Sequence, residues 1–302
     1  MNKIVSMKEA IQDSLDHGCS LVIEGFTHLI SFSASHEIIR QQWKDLHLIR
    51  LTPDLVYDQM IEAGLCAKMS FSYLGNPGVG SLHSIRRHVE GKSEKTLELD
   101  EYSHHGMVSR LAAGASGLSF ATLDSYRGSD IPKSNDQIKS IQCPYTGKVF
   151  ATVPALNPDV CVIHVQRADR EGNAQVWGLL GTQKESAFAS KKVIVVAEEI
   201  VDSSVIRKDP NRTIVPSFIV DHVVHEPFGC HPSYVQGFYD RDNDFYVSWD
   251  QISRSTEQYQ KYLEEFVMEC PDRNSYIKKM DRDVFEKLKA DSQICEGVNY
   301  GF

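Results

Sequence analysis

This 302-residue chain has no paired cysteine motif and no long apolar run. Its seven cysteines are scattered, odd in number and never spaced as Cys-x-x-Cys, so we expect reduced core thiols of a cytoplasmic protein. No apolar run approaches the roughly 18 residues that a membrane span needs. The first residues carry one lysine and lead into a polar helix, so a signal peptide is not expected.

Positive charge is also scarce. The chain has 32 lysine and arginine residues against 41 aspartate and glutamate residues, a net charge of −9 at pH 7. Without a basic cluster, this balance argues against a nucleic-acid-binding protein. Hydrophobic residues make up 41% of the chain, an ordinary value for a globular protein. There is no internal repeat or low-complexity tract, and we expect residues 1–302 to form a single domain.

Common nucleotide-binding, hydrolase and metal signatures are missing as well. There is no Gly-x-Gly-x-x-Gly segment, no Walker lysine and no Gly-x-Ser-x-Gly elbow. The histidines that could supply metal ligands are His104, His105, His222, His225 and His231. None of their spacings matches a zinc pattern and no carboxylate partner is evident, so we expect no metal.

The strongest local pattern spans residues 160–178. Residues 160–166 are apolar and β-branched without a helical period, which predicts a strand buried on both faces. A charged stretch then ends in Gly172-Asn173, a pair suited to a tight turn, and a short strand follows over residues 174–178. Open α/β folds place ligands where the sheet core meets such a turn. The alternative is a buried strand followed by an ordinary surface turn.

Strand, loop and helix alternate at short intervals along the chain. Helices are predicted over residues 6–17, 34–42, 57–63, 81–90, 103–117 and 183–190, and strands over residues 21–23, 46–51, 67–74, 97–99, 149–153, 192–197 and 215–224. This alternation predicts an α/β fold with an open, mostly parallel sheet sandwiched between helical layers. Residues 125–150 are polar and form a long excursion, either a flap or a partner-binding arm. A helical C-terminal extension is predicted from about residue 249.

Two glycine-containing loops follow predicted strands. Gly25 lies between a strand and a helix, where a glycine lets backbone N–H groups approach a ligand and the helix N-terminus favours anions. Residues 75–80 carry three glycines around Asn76, which indicates an unusual backbone shape. Two such loops at strand ends favour a ligand site over ordinary turns. The candidate ligand-binding residues are Gly25, Phe26, Thr27, His28, Gly75, Asn76 and Gly78.

Charged residues elsewhere allow two interpretations each. Glu198 and Glu199 follow a predicted strand and could act as an acid/base pair, but we favour Glu198 as a structural anchor for neighbouring loops. Arg86 and Arg87 lie on the basic face of a predicted helix. They could bind the second carboxylate of a substrate, or they could simply be solvated.

Several segments together resemble the class I coenzyme A transferases. Glu24-Gly25-Phe26-Thr27 resembles their Gly-Gly-Phe loop. Residues 167–173 with Val176-Trp177-Gly178 resemble their Ala-Asp-x-x-Gly-Asn turn, the most specific of these motifs. Three further segments are similar to the A (alpha) subunit of glutaconate CoA-transferase: residues 198–201, 229–233 and 239–243. The similarity extends over roughly residues 3–270.

The resemblance implies a CoA-transferase-type fold and a subunit of a heteromer, α2β2 or larger, that includes a B (beta) subunit. A CoA thioester would be a substrate, with no permanently bound cofactor. The nucleophile would be a glutamate in a Ser-Glu-Asn-Gly-like motif of the B subunit. Here Ser93-Glu94 continues as Lys95-Thr96 in a polar stretch, so this chain should lack the nucleophile and be inactive alone. Asn76 and the two glycine loops are expected to supply donors to the oxyanion.

The chain also departs from relatives of this scaffold. Residues 28–32 continue without the proline that usually follows the first loop. A steroid ring-opening hydrolase of this scaffold has a catalytic glutamate just before Gly-Met, where this chain has His105 before Gly106-Met107. That disfavours the hydrolase, although His105 could still support the reaction. The alternatives to a transferase are therefore a CoA-thioester hydrolase, a decarboxylase or a non-catalytic acyl-CoA-binding module.

Overall fold

The computed structural model describes residues 2–76, 79–93, 96–280 and 282–290. The strands in these ranges are β1 Ser20–Glu24, β2 Leu46–Ile49, β3 Cys66–Phe71, β4 Glu98–Glu101, β5 Phe120–Leu123, β6 Lys139–Gln142, β7 Val149–Pro154, β8 Val160–Ala168, β9 Ala174–Gln175, β10 Lys192–Ile200, β11 Thr213–Val215 and β12 His222–His225.

The helices in the same ranges cover both faces and the C-terminal end of the sheet. They are α1 Met7–Ser14, α2 Phe32–Arg40, α3 Leu55–Glu62, α4 His83–Val89, α5 His104–Ala115, α6 Ile131–Ser134, α7 Gln183–Ala189, α8 Ser203–Lys208, α9 Asn243–Arg254, α10 Thr256–Leu263, α11 Arg273–Lys279 and α12 Arg282–Leu288, with short 3-10 segments at Pro210–Arg212 and Ser217–Ile219 and a π segment at Glu264–Met268.

The main sheet is open and mostly parallel, as predicted. Seven of its nine described strands pair in parallel in the order β4-β3-β2-β1-β8-β10-β12. The short strands β9 and β11 extend it antiparallel at the end of β8. A sheet of this kind collects the loops after its parallel strands at one edge, which is where open α/β folds bind ligands.

Strand β8 lies at the centre and is buried on both faces. Val160 and Val162 belong to one hydrophobic core, whereas Cys161, Ile163 and Val165 belong to the other. This alternation follows from the two-residue period of a strand, because successive side chains point to opposite faces. The prediction of a doubly buried strand over residues 160–166 is confirmed.

The first helix begins where the sequence predicts. The hydroxyl of Ser6 accepts the backbone N–H of Glu9, and the Glu9 carboxylate accepts the backbone N–H of Ser6 at 2.9 Å. This reciprocal arrangement is a capping box, and it satisfies two backbone donors that a helix start would otherwise leave exposed.

Two sequence predictions are corrected. Residues 215–224 are not one strand, because Pro216 has no N–H to continue the ladder and a 3-10 turn separates β11 from β12. The C-terminal helices begin at Asn243 rather than near residue 249, because Asp242 caps α9 through the backbone N–H of Phe245.

The polar excursion around residues 125–150 contains regular structure that the sequence analysis does not predict. Strands β5, β7 and β6 form a separate three-stranded antiparallel sheet, with α6 between β5 and β6. Strands of four residues with exposed polar faces have a weak sequence signal, which explains why β5 and β6 were not predicted. Among the described residues, no helix is both long enough and apolar enough to cross a membrane.

Candidate functional site

The loop after β1 has a tightly constrained backbone. A side chain at Gly25 would place its Cβ 2.5 Å from the carbonyl oxygen of Leu29 and 2.6 Å from that of His28. Thr27 and Leu29 both adopt left-handed backbone conformations, with φ of 61° and 57°. Non-glycine residues pay a conformational cost there, and such strain concentrates at ligand-binding and catalytic sites.

Arg50, just after β2, fixes this loop from below. Its Nη1 donates to the carbonyl of Ile23 at 2.7 Å, its Nη2 to that of Gly25 at 2.6 Å and its Nε to that of Thr52 at 3.0 Å. Asp54 pairs with the guanidinium at 3.7 Å. Burial opposes the charge of Arg50, but neighbouring carboxylates, led by that of Asp54, keep its pKa above the usual value.

A cavity of about 410 Å³ opens above these loops at the carboxyl ends of β1, β2 and β3. Its walls are largely apolar and carry a few charged groups, a composition typical of small-molecule sites. The lining residues are Glu24, Gly25, Phe26, Thr27, Arg50, Leu51, Thr52, Asp54, Tyr73, Asn76, His104, Leu179, Tyr234, Arg241 and Tyr246.

The Nδ2 of Asn76, a residue that is 4% exposed, and the Oε2 of Glu24 are buried in the cavity wall without a hydrogen-bond partner among the described residues. The other oxygen of Glu24 accepts the backbone N–H of Thr182 at 3.2 Å. Buried polar atoms are nearly always paired, so these two indicate a place where a ligand completes the hydrogen bonding.

The structure brings together four of the seven ligand-binding candidates. Gly25, Phe26, Thr27 and Asn76 all line the cavity. Gly75 lies beside the ring of Tyr73 in an adjacent surface groove, and Gly78 is outside the described residues.

The remaining candidate, His28, supports the loop from inside the protein. Its Nε2 is hydrogen-bonded to the carbonyl of Leu179, and its ring stacks on Tyr234 with centroids 4.9 Å apart. Burial lowers the pKa of His28 to about 4, so the ring is neutral at pH 7. A neutral ring in this position anchors the loop rather than carrying charge to a ligand.

The histidine at the cavity is His104, and not the expected His105. His104 lies 3.2 Å from the hydroxyl of Thr52, whereas His105 lies 3.3 Å from the hydroxyl of Ser125 on an exposed face outside the cavity. Because α5 begins at His104, the two neighbouring side chains point about 100° apart around the helix. The sequence alone could not fix which one faced inward.

Arg86 and Arg87 lie away from the cavity. Arg86 is exposed and pairs with Glu90 at 2.6 Å. Arg87 pairs with Glu62 at 2.6 Å and donates to the carbonyl of Ser253 at 2.7 Å, which ties α4 to α3 and α9.

Sequence reasoning missed the two arginines that do line the cavity, Arg50 and Arg241. Only the similarity of residues 239–243 to a known subunit pointed towards the second.

Glu198 is the structural anchor that the sequence favoured. One carboxylate oxygen accepts the Tyr239 hydroxyl at 2.6 Å and lies 2.8 Å from the Nε2 of His164. The other accepts the backbone N–H of Phe228 at 2.7 Å. Cys230 lies close enough to form a potential metal group with His164 and Glu198, but burial raises the pKa of its thiol, and both carboxylate oxygens of Glu198 are already engaged in hydrogen bonds. The group therefore fits a loop anchor better than a metal site.

The later histidines do not converge on one point in the described structure. His231 lies 2.9 Å from Asp242 and 2.9 Å from the hydroxyl of Tyr276, and His225 lies 3.2 Å from the carbonyl of Glu198. Across the described ranges, neither histidine belongs to a set of three potential metal ligands.

The polar turn after β8 is internally satisfied. The carboxylate of Asp169 accepts the backbone N–H groups of Glu171, Gly172 and Asn173 at 2.9–3.0 Å, and the Asn173 side chain at 2.9 Å. None of these residues lines the cavity. The alternative interpretation of this stretch, a buried strand followed by an ordinary surface turn, therefore describes it better than the interpretation as a ligand-binding turn.

Comparison with known proteins defines the class of protein. Residues 4–226 match the model of the coenzyme A transferase family, and the chain belongs to that family. It is 49% identical over 280 residues to the A subunit of 3-oxoadipate CoA-transferase from Pseudomonas knackmussii, covering 93% of this chain and 99% of the relative. The A subunit of glutaconate CoA-transferase from Acidaminococcus fermentans is 29% identical over 317 residues, covering 99% and 97%.

The fold agrees with this assignment. The crystal structure of the glutaconate CoA-transferase from Acidaminococcus fermentans matches with a TM-score of 0.88 and 29% identity, over 96% of both chains. The full-length relatives are A subunits, so within the family this chain is a CoA-transferase subunit of the A type. An A subunit implies that its partner is a B subunit.

Proposed function

We propose that this chain forms one wall of a CoA-transferase active site, and that a B subunit supplies the attacking glutamate. The observation that carries the proposal is the donor Asn76 Nδ2, buried and without a partner among the described residues, in the same cavity as the constrained Gly25 loop. The reaction moves CoA between an acyl-CoA and a small or dicarboxylic acid.

The proposed chemistry uses two successive acyl transfers, the first to the glutamate carboxylate and the second from the resulting anhydride to the CoA thiolate. The B-subunit glutamate attacks the donor thioester carbonyl, and the C–S bond breaks to give a mixed anhydride and a CoA thiolate. The thiolate then attacks the glutamyl carbonyl, which releases the donor acid and leaves a glutamyl-CoA thioester. The acceptor carboxylate reverses both steps. No net oxidation occurs, and no cofactor beyond CoA takes part.

In this scheme the A subunit stabilises the oxyanion of each tetrahedral intermediate. Asn76 Nδ2 is a neutral donor at the cavity wall, and Gly25, Phe26 and Thr27 of the loop between β1 and α2 line the same cavity. Donors held rigidly in place stabilise developing charge without reorganising, and loss of one typically costs about 10²–10³ in rate. The three backbone contacts of Arg50 provide the rigidity.

The cavity mouth is where the B-subunit glutamate would enter. Tyr73 and Leu179 line the cavity yet are 50% and 38% exposed, and the neighbouring Leu180 is 52% exposed. Apolar side chains left open around a polar site are typical of an interface with another protein. A partner covering them would also exclude water, which would otherwise hydrolyse the thioester.

The small antiparallel sheet is a second candidate contact for the same partner. Its strands carry the exposed large apolar side chains Phe120, Ile141 and Val149, and the adjoining segments carry Leu118 and Tyr145. The sheet packs on the body mainly through α5, so these side chains are not needed to complete the main core. The sequence leaves two possibilities open for this region, a flap or a partner-binding arm. We propose that it is the partner-binding arm, in an α2β2 or larger assembly.

The substrate class follows from the chemistry of the relatives and of the cavity. The Pseudomonas knackmussii and Acidaminococcus fermentans relatives are named for 3-oxoadipate and glutaconate, both dicarboxylates. The cavity of this chain carries two arginines, although the chain as a whole is acidic. We therefore propose a dicarboxylic acyl-CoA as one of the two thioesters.

The test is to purify the chain together with its B-type partner and measure CoA transfer. Transfer of CoA from succinyl-CoA to a second carboxylic acid, only when both chains are present, supports the proposal. Release of free CoA without an acceptor acid would indicate a hydrolase, and release of CO₂ a decarboxylase. Tight acyl-CoA binding by the A chain alone, with no turnover by the complex, would indicate a binding module.

A further inference from the structure

We propose that Arg241 binds the second carboxylate of the dicarboxylic acyl group and so determines substrate specificity. The inference rests on the proposed function for the identity of the ligand. It concerns a residue of the cavity wall that the oxyanion chemistry does not use. Arg86 and Arg87, for which the sequence leaves carboxylate binding open, do not line this cavity.

Arg241 is placed in the wall by the segment that leads into α9. Its guanidinium carbon lies 4.0 Å from the centroid of the Tyr246 ring, and both side chains line the cavity. An arginine held over an aromatic ring has fewer accessible positions than a free one. Its planar guanidinium can bind a carboxylate through two parallel hydrogen bonds.

The other arginine of the cavity has a different task. Arg50 donates to three backbone carbonyls and pairs with Asp54, so its hydrogen bonds hold the β1 and β2 loops together. A ligand carboxylate at Arg50 would have to compete with those contacts and with the nearby carboxylate of Asp54.

The surroundings strengthen a charge pair at Arg241. Phe26, Leu51, Tyr73 and Leu179 give the cavity apolar walls, and an ion pair gains strength where water is displaced. Asn76 Nδ2 in the same cavity offers a neutral donor to the thioester end of the ligand. A ligand that uses both groups carries a carbonyl and a separate carboxylate, which describes the monothioester of a dicarboxylic acid.

The test compares two acyl groups of equal length in the purified A–B complex, succinyl-CoA and butyryl-CoA. Arg241→Gln should lower kcat/KM for succinyl-CoA about 10–100-fold, mainly through KM, because a charged hydrogen-bond pair is lost. Butyryl-CoA should change by less than about threefold, because its methyl group makes no such pair. Arg241→Lys should recover part of the loss. Arg86→Gln, which removes an exposed arginine outside the cavity, should leave both substrates unchanged.

Binding measured without turnover separates this inference from the proposed function. Saturation-transfer NMR with free succinate and butyrate on the same complexes should show preferential succinate binding that Arg241→Gln removes. If Arg241→Gln removes the preference for succinate while the wild-type complex transfers no CoA, the result supports Arg241 as the specificity site and contradicts the proposed function. If the complex transfers CoA but Arg241→Gln affects both acyl groups equally, or neither, the inference is overturned. A wild-type complex that does not prefer succinate to butyrate overturns it as well.

Discussion

The Nη2 atom of Arg50 lies 2.6 Å from the carbonyl oxygen of Gly25, and this contact joins the ends of two neighbouring strands. Gly25 follows β1 and Arg50 follows β2, so one buried guanidinium fixes the floor of the cavity. The contact orients the Gly25 carbonyl towards the protein interior. The loop after β1 is thereby held in a strained conformation, in which Thr27 and Leu29 have left-handed backbone angles.

Gly25→Ala should abolish most transferase activity of the A–B complex. The new Cβ would meet two backbone carbonyls at 2.5 and 2.6 Å, and backbone atoms cannot move aside without shifting the loop. We expect a loss of about 10² or more in kcat, since misplacement by about 1 Å has that effect on positioned groups.

Gly117→Ala is the matched control for this substitution. Gly117 is also left-handed, with φ of 67°, but nothing lies within 4 Å of its added Cβ. It should cost about 1 kcal/mol of stability and leave kcat unchanged. Equal activity in the two variants would show that the shape of the Gly25 loop does not matter for the reaction.

Asn76→Ala should lower kcat about 10²–10³-fold with a smaller change in KM. The substitution removes a donor that acts mainly when negative charge develops on the reacting carbonyl. Stability should not fall, because the Nδ2 atom has no partner among the described residues and its removal breaks no described hydrogen bond. Steady-state kinetics and urea unfolding measure the two effects, with the exposed Asn211→Ala as control. A variant with normal kcat would remove Asn76 from the mechanism.

Phe120→Asp and Ile141→Asp should each weaken association with the B subunit by about tenfold or more. Both side chains are exposed on the small sheet, and a charge in the apolar centre of an interface is costly. Analytical ultracentrifugation of mixed A and B chains measures the dissociation constant. Val247→Asp alters an exposed apolar residue on α9 instead and should have no effect. If all three variants associate normally, the small sheet is not the partner-binding arm.

Glu226→Gln should change the pH dependence of stability. Burial, opposed in part by Arg273, raises the pKa of Glu226 to about 7 in the folded chain, against 4.5 ordinarily. The folded state therefore holds this proton more tightly than the unfolded state, and the wild type loses stability as pH rises from about 4.5 to 7. The variant lacks this carboxyl group, so its stability should not show this decrease between pH 4.5 and 7.

The measurable quantity is the difference in free energy of unfolding between Glu226→Gln and wild type. It should grow in favour of the variant between pH 4.5 and 7, by about 1–3 kcal/mol, and stay level above pH 7. Glu257→Gln, at an exposed position, should show no such trend. A difference that is flat across this range would contradict the raised pKa.

The sheet was largely predictable from sequence, because β8 and its parallel neighbours are runs of buried β-branched residues bounded by turns. The sequence also names the Gly25 loop and Asn76 as candidates, since glycine and asparagine soon after a predicted strand are local signals, and both line the cavity. Arg241 was not named, because its position in the cavity depends on the packing of α9 against loops far away in sequence. The choice between His104 and His105 depended on where α5 begins, which a pattern fixes only to within a residue or two.

The central claim is that this chain is half of a composite active site. It is tested most directly by incubating the A–B complex with acyl-CoA, reducing it with borohydride and locating the modified residue by mass spectrometry. The account predicts a reduced glutamate on the B chain, its formation dependent on the presence of the A chain, and no turnover by the A chain alone. Turnover of a CoA thioester by the purified A chain, or a modified carboxylate in its own sequence, would contradict the account.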